Sequence, residues 1–157
     1  MGLDMYLTGD RFHSTCFLNR LTGEYEHVEP TYADGFRVTR EKLALGYWRK
    51  NAPLHMLMVN RFANGKDDCQ PIDLDVAQLR LIATILRSKG LPTDEQCGGF
   101  FFGDEEWWAE CRKNADEDAK VFEAAADWLA INSNSRFWNS VEYLSLIHIS
   151  EPTRLSG

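Results

Sequence analysis

Apolar side chains in this chain recur with two different periods, and that mixture limits the fold more than any other feature of the sequence. Gly2-Leu3-Asp4-Met5-Tyr6-Leu7 puts Leu3, Met5 and Leu7 on one side and Asp4 and Tyr6 on the other, and Arg136 to Tyr143 alternates again. A period of two belongs to a half-buried strand. Between these ends, Val76, Leu79, Ile82, Ala83 and Leu86 repeat at helical intervals. Trp107, Trp108, Cys111, Ala115, Ala119, Phe122, Ala126 and Leu129 trace a second helical stripe. Strand periods at both ends with helical periods between them predict an α+β fold, a small mixed or antiparallel sheet packed against two to three helices.

Local signals set the boundaries. Asp75 and Gln78 have the spacing of a capping box, which starts a helix that runs to Gly90. Asn51 precedes Ala52-Pro53, an N-cap followed by proline in the first turn, and the helix from Pro53 to Phe62 stops at Asn64-Gly65. Asp104, Glu105 and Glu106 cluster where a helix dipole is positive, and predict one long helix ending near Asn132. Lys42 to Lys50 reads as a strand, as does Gly99-Phe100-Phe101-Phe102-Gly103, whose three consecutive phenylalanines suit burial on both faces. Thr8 to Asp34 reads as an irregular region with one hairpin.

A length of 157 residues suits one domain. The net charge of −7 argues against a partner that is a nucleic-acid polymer, which calls for a basic face. Cys16, Cys69, Cys97 and Cys111 show no Cys-x-x-Cys pairing, and Met1-Gly2-Leu3-Asp4 leads straight into a strand without a secretory leader. The expectation is reduced thiols in a cytoplasm, with no metal site. No apolar run approaches the roughly 20 residues needed to cross a bilayer, so no membrane partner is expected.

The densest chemistry lies in Gly46-Tyr47-Trp48-Arg49-Lys50-Asn51-Ala52-Pro53-Leu54-His55. Tyr47 and Trp48 can stack on a nucleobase, Arg49 and Lys50 can meet phosphates, and Asn51 opens a helix whose first amides add anion donors. His55 follows one turn later. Strand parity turns Tyr47 with Arg49 one way and Trp48 with Lys50 the other, one aromatic and one cation per face. Phe101, Trp107 and Trp108 are further aromatic candidates for the pocket wall. Stacking a base on an aromatic is worth about 1–3 kcal/mol, so a few such contacts give tight binding. Ser14, Cys16 and Cys97 occur outside any nucleophile motif, so neither catalytic residues nor a cofactor are expected.

Leu144-Ser145-Leu146-Ile147-His148-Ile149-Ser150-Glu151-Pro152-Thr153-Arg154 resembles the in-frame translation of a transposase-based sequencing adaptor. That resemblance implies a gene assembled from metagenomic reads and cut short near Tyr143. One α+β domain over residues 1–143 is therefore expected, with 144–157 an adaptor-derived tail.

The blocks Gly2-Leu3-Asp4-Met5-Tyr6-Leu7, Gly46-Tyr47-Trp48-Arg49-Lys50-Asn51 with His55, Gly99-Phe100-Phe101-Phe102-Gly103 and Ser140-Val141-Glu142-Tyr143 together resemble a family of small phage proteins, in order and along the chain to Tyr143. Two places depart from that family. Met56-Leu57 stands where it carries an aromatic pair, and the Trp that follows its Ser-Val block is missing here. The resemblance implies a phage anti-defence protein acting in the cytoplasm of the infected bacterium. Such a protein would be a homo-oligomer that sequesters a small-molecule signalling nucleotide, a cyclic ADP-ribose isomer or related adenine nucleotide, without turnover. Two alternatives stand beside it: an inhibitor that binds a host immune effector through its acidic face, and a hydrolase of the same signals built on His55.

Overall fold

The N-terminal alternation becomes the central strand of the sheet in the computed structural model, which describes residues 2–97, 103–131 and 136–148. In chain order the elements are β1 (Gly2–His13), β2 (Cys16–Asn19), β3 (Glu24–His27), β4 (Tyr32–Ala33), β5 (Phe36–Arg37), β6 (Arg40–Arg49), α1 (Ala52–Phe62), β7 (Ile72–Leu74), α2 (Val76–Arg87), α3 (Glu105–Lys113), α4 (Ala115–Ile131) and β8 (Phe137–His148). The main sheet has the order β6-β1-β8-β7 with antiparallel neighbours throughout, and β2-β3 and β4-β5 form separate hairpins. The chain is therefore α+β, as the mixed periods predict.

One face of the sheet makes the core. Leu3, Met5 and Leu7 of β1 are fully buried with Trp48, Val141 and Tyr143, against Leu54 and Met58 of α1, Leu79, Ile82 and Leu86 of α2, and Ala119, Phe122 and Ala126 of α4. Fully burying each large aliphatic side chain contributes about 1.5–3 kcal/mol, so this face carries most of the fold's driving force. Asp4, Tyr6, Thr8 and Asp10 point the other way and are half-buried on the face opposite that core. A register shift opposite Leu7 and Thr8 makes Leu45 the extra residue of a bulge in β6, and its side chain packs against the core. Gly46 follows because a Cβ there would stand 2.7 Å from the Trp48 ring and 2.9 Å from Val121, so α4 can approach β6 only over a glycine.

The caps form where their spacing places them. Asp75 accepts from the Gln78 amide and the Gln78 side chain reaches back to the Asp75 amide. Asn51 accepts from the Leu54 amide at 3.1 Å. After α1, Asn64 and Gly65 both take left-handed φ, and the Gly65 amide returns to the Val59 carbonyl.

Several boundaries differ from expectation. β1 continues through His13, and Thr8 to Asp34 holds the rest of that strand, the β2-β3 hairpin and the first strand of another. The long helix expected from Asp104 to Asn132 is two helices. Asn114 ends α3, donating its amide to Glu110, and its carbonyl accepts from Asp118 to start α4. β8 does not stop at Tyr143, because Leu144 to His148 continues the ladder opposite Tyr6 to Gly2. The backbone of those five residues thus completes the pairing of β1, whatever the origin of their codons. The phenylalanine-rich strand expected at 99–103 lies outside the described residues, apart from Gly103. Among the described residues no helix is long and apolar enough to cross a membrane.

Candidate functional site

The Tyr47–His55 block divides at Asn51 into an open half and a sealed half. Lys50 sits at φ 51°, a left-handed turn that lifts the chain out of β6 and lets Asn51 cap α1. Before the turn, strand alternation sends Tyr47 and Arg49 outward and Trp48 inward. Tyr47 is exposed, packs against Tyr6 and donates its hydroxyl to Asp4. That hydrogen bond raises the Tyr47 phenol above its ordinary value, with burial a smaller cause in the same direction.

Trp48 is a core residue. It is 8% exposed, stacks on Phe122 with ring centroids 5.3 Å apart, and donates its indole N–H to Asp118 at 2.9 Å. Burial pushes the Asp118 carboxyl up, and the bond from Trp48 opposes that shift. The ring expected to stack on a ligand is instead part of the support for the strand.

Trp107 supplies the exposed aromatic surface. It is 44% exposed and its indole N–H donates to the Arg49 carbonyl at 3.0 Å, which ties α3 to the end of β6. Gly103 makes room: its φ of 84° lies in the left-handed region, and a Cβ would stand 2.9 Å from the Trp107 ring. Asp104 caps α3 by accepting from the Trp107 amide. Trp108, one residue on, is buried against Ala52 and Cys97.

Two clefts meet at Trp107. The first, of about 370 Å³, is lined by Arg49, Lys50, Gly103, Asp104 and Trp107. The second, of about 250 Å³, has Tyr47, Trp48, Arg49 and Asn51 on one side and Trp107, Glu110, Cys111, Asn114 and Asp118 on the other. Arg49 and Trp107 border both, so the clefts are two lobes of one groove, one bearing two cations and the other rich in hydrogen-bond acceptors. Consecutive β6 residues line the second lobe, so its floor is the edge of the outer strand.

After the turn the chemistry is closed off. His55 is 1% exposed; its Nδ1 lies 2.7 Å from the Tyr143 hydroxyl and its Nε2 lies 3.0 Å from Asp67 Oδ2. Burial holds the Tyr143 phenol well above its ordinary value, so the hydroxyl keeps its proton beside Nδ1. The crevice beside this trio holds only about 10 Å³.

Of the residues singled out in the sequence, Tyr47, Trp48, Arg49, Lys50, Asn51 and Trp107 border the groove, Trp48 with 8% of its surface exposed. Asn51 is 3% exposed and engaged as a cap. His55 and Trp108 face the interior, and Phe101 lies outside the described residues. Sequence reasoning missed Glu110, Asn114 and Asp118. Their spacing of four residues was the available signal, since it puts polar groups on one helical face beside an apolar stripe. No group of three or more His, Cys, Asp or Glu among the described residues forms a metal site. No family model, curated protein or solved structure matches this chain.

Proposed function

We propose that the protein binds an adenine-containing signalling nucleotide in the groove around Trp107 and holds it without turnover. The observation that carries this reading is that Arg49, Lys50 and the exposed indole of Trp107 border one cleft, cations for phosphate beside a stacking surface for a base. The resemblance of its blocks to small phage proteins supplies the biological setting: sequestration of a cyclic ADP-ribose isomer or a related nucleotide in an infected bacterium, by a homo-oligomer. Burial of His55 between Tyr143 and Asp67 weighs against the hydrolase alternative, because a substrate would have to displace the core to reach it.

Titration calorimetry against cyclic ADP-ribose isomers and cyclic dinucleotides tests the proposal. Binding of at least one, with the ligand recovered intact, is expected; absence of heat and of thermal shift for every member rejects it. A second reading, inhibition of a host effector by direct contact through an acidic face, draws on the net charge of −7. Salt-sensitive co-purification with an effector would favour it.

A further inference from the structure

The backbone of β6 has an orientation that the side chains do not reveal. The Lys50 amide donates to the Leu3 carbonyl at 2.7 Å, so Lys50 directs its peptide groups toward β1. Antiparallel pairing alternates that direction residue by residue. Trp48, opposite Met5, also faces β1, whereas Tyr47 and Arg49 turn their N–H and C=O groups outward. The bond from the Trp107 indole to the Arg49 carbonyl agrees, because it approaches from that outer side. Among the described residues β6 is the outer strand of its sheet, and the second lobe of the groove lies along this edge.

An outward C=O on one residue and an outward N–H two residues later form an acceptor–donor pair. Adenine carries the complement on its Watson–Crick edge, an N6 amine that donates beside an N1 that accepts. We infer that the edge of β6 reads the adenine itself, Tyr47 C=O accepting from N6 and Arg49 N–H donating to N1, with Trp107 against the ring and the phosphate in the Arg49–Lys50 lobe. This rests on the proposed nucleotide-binding reading and adds the base that is selected and the atoms that select it. Glu110 and Asp118 reinforce the preference, because carboxylates favour an amine over a carbonyl at the same position. Hypoxanthine reverses both groups, presenting O6 to a carbonyl and N1–H to an amide.

Calorimetry with AMP and IMP tests this, since they differ only at that edge of the base. AMP is expected to bind about tenfold or more tightly than IMP. Arg49→Ala keeps the amide, so it weakens both ligands by a similar factor and preserves their ratio. Arg49→Pro deletes the amide at a position where it makes no bond to β1, and brings the ratio close to one. If that variant fails to fold, the double variant Glu110→Ala, Asp118→Asn replaces it. An AMP preference that survives there supports readout by the backbone, and one that disappears overturns it. AMP and IMP indistinguishable, in a protein that binds a member of the cyclic panel, overturns this inference alone. No binding by any nucleotide overturns the proposed function as well.

Discussion

The groove at Trp107 and the sealed trio at His55 each draw residues from one ten-residue stretch, Gly46 to His55, yet they differ in almost every physical respect. At the groove, Arg49 is exposed, Trp107 is half-exposed and the cavity is hundreds of cubic ångströms. At the trio, His55 and Tyr143 are each 1% exposed and the crevice is about 10 Å³. The first arrangement can exchange its water for a ligand at little cost, whereas the second already uses its polar groups on one another. A dense patch of chemistry-bearing residues is thus no guide to a site until the accessible part is known. The left-handed turn at Lys50 and the cap at Asn51 divide the two parts.

That division can be broken most severely at Trp48. Trp48→Ala removes a stacked core ring and should cost about 3–5 kcal/mol of stability in a denaturant melt. If the variant instead melts like the parent and loses only ligand, Trp48 belongs to the groove and the comparison fails. Arg49→Ala should do the reverse, lowering nucleotide affinity by about tenfold to a hundredfold in calorimetry while moving stability by no more than about 0.5 kcal/mol.

Tyr143→Phe should cost about 1–3 kcal/mol, because it leaves the inward nitrogen of His55 without its hydrogen-bond partner in a buried site. Ligand affinity, measured well below the melting temperature, should stay at the parental value. Any parallel loss of both would mean that the trio and the groove are coupled.

The smallest effect concerns Cys111, which lines the acceptor-rich lobe. Burial raises its thiol from 9.0 to about 11, so the folded state holds that proton more tightly than the unfolded chain. The resulting stability is complete below pH 9 and is lost as the pH rises toward about 11. At pH 8 the exposed Cys16 should therefore alkylate well before Cys111 in a mass-spectrometric time course. Equal rates would show that the lobe opens further than its geometry indicates.

Features that depend on neighbours in sequence were legible from the start. The Asp75–Gln78 box, the Asn51 cap and the turn at Asn64-Gly65 each follow from groups within a few residues of one another. Parity separated Tyr47 and Arg49 from Trp48, but did not say which side would be buried. Phe122 and Asp118 decide that, and they lie some seventy residues away. The break at Asn114 was hidden because the apolar stripe continues at nearly helical spacing across it, and only the hydrogen bonds show one helix ending as the next begins.

By itself the sequence determined the class of fold, the start of β1, and α1 and α2 with their caps, because periodicity and capping are short-range and each residue type has a strong preference within them. Tertiary structure alone decided that Trp48 supports the strand while Trp107 faces solvent. It also paired His55 with Tyr143 and turned the edge of β6 toward the groove. Those outcomes depend on which distant surface reaches each side chain first, and no local preference encodes that.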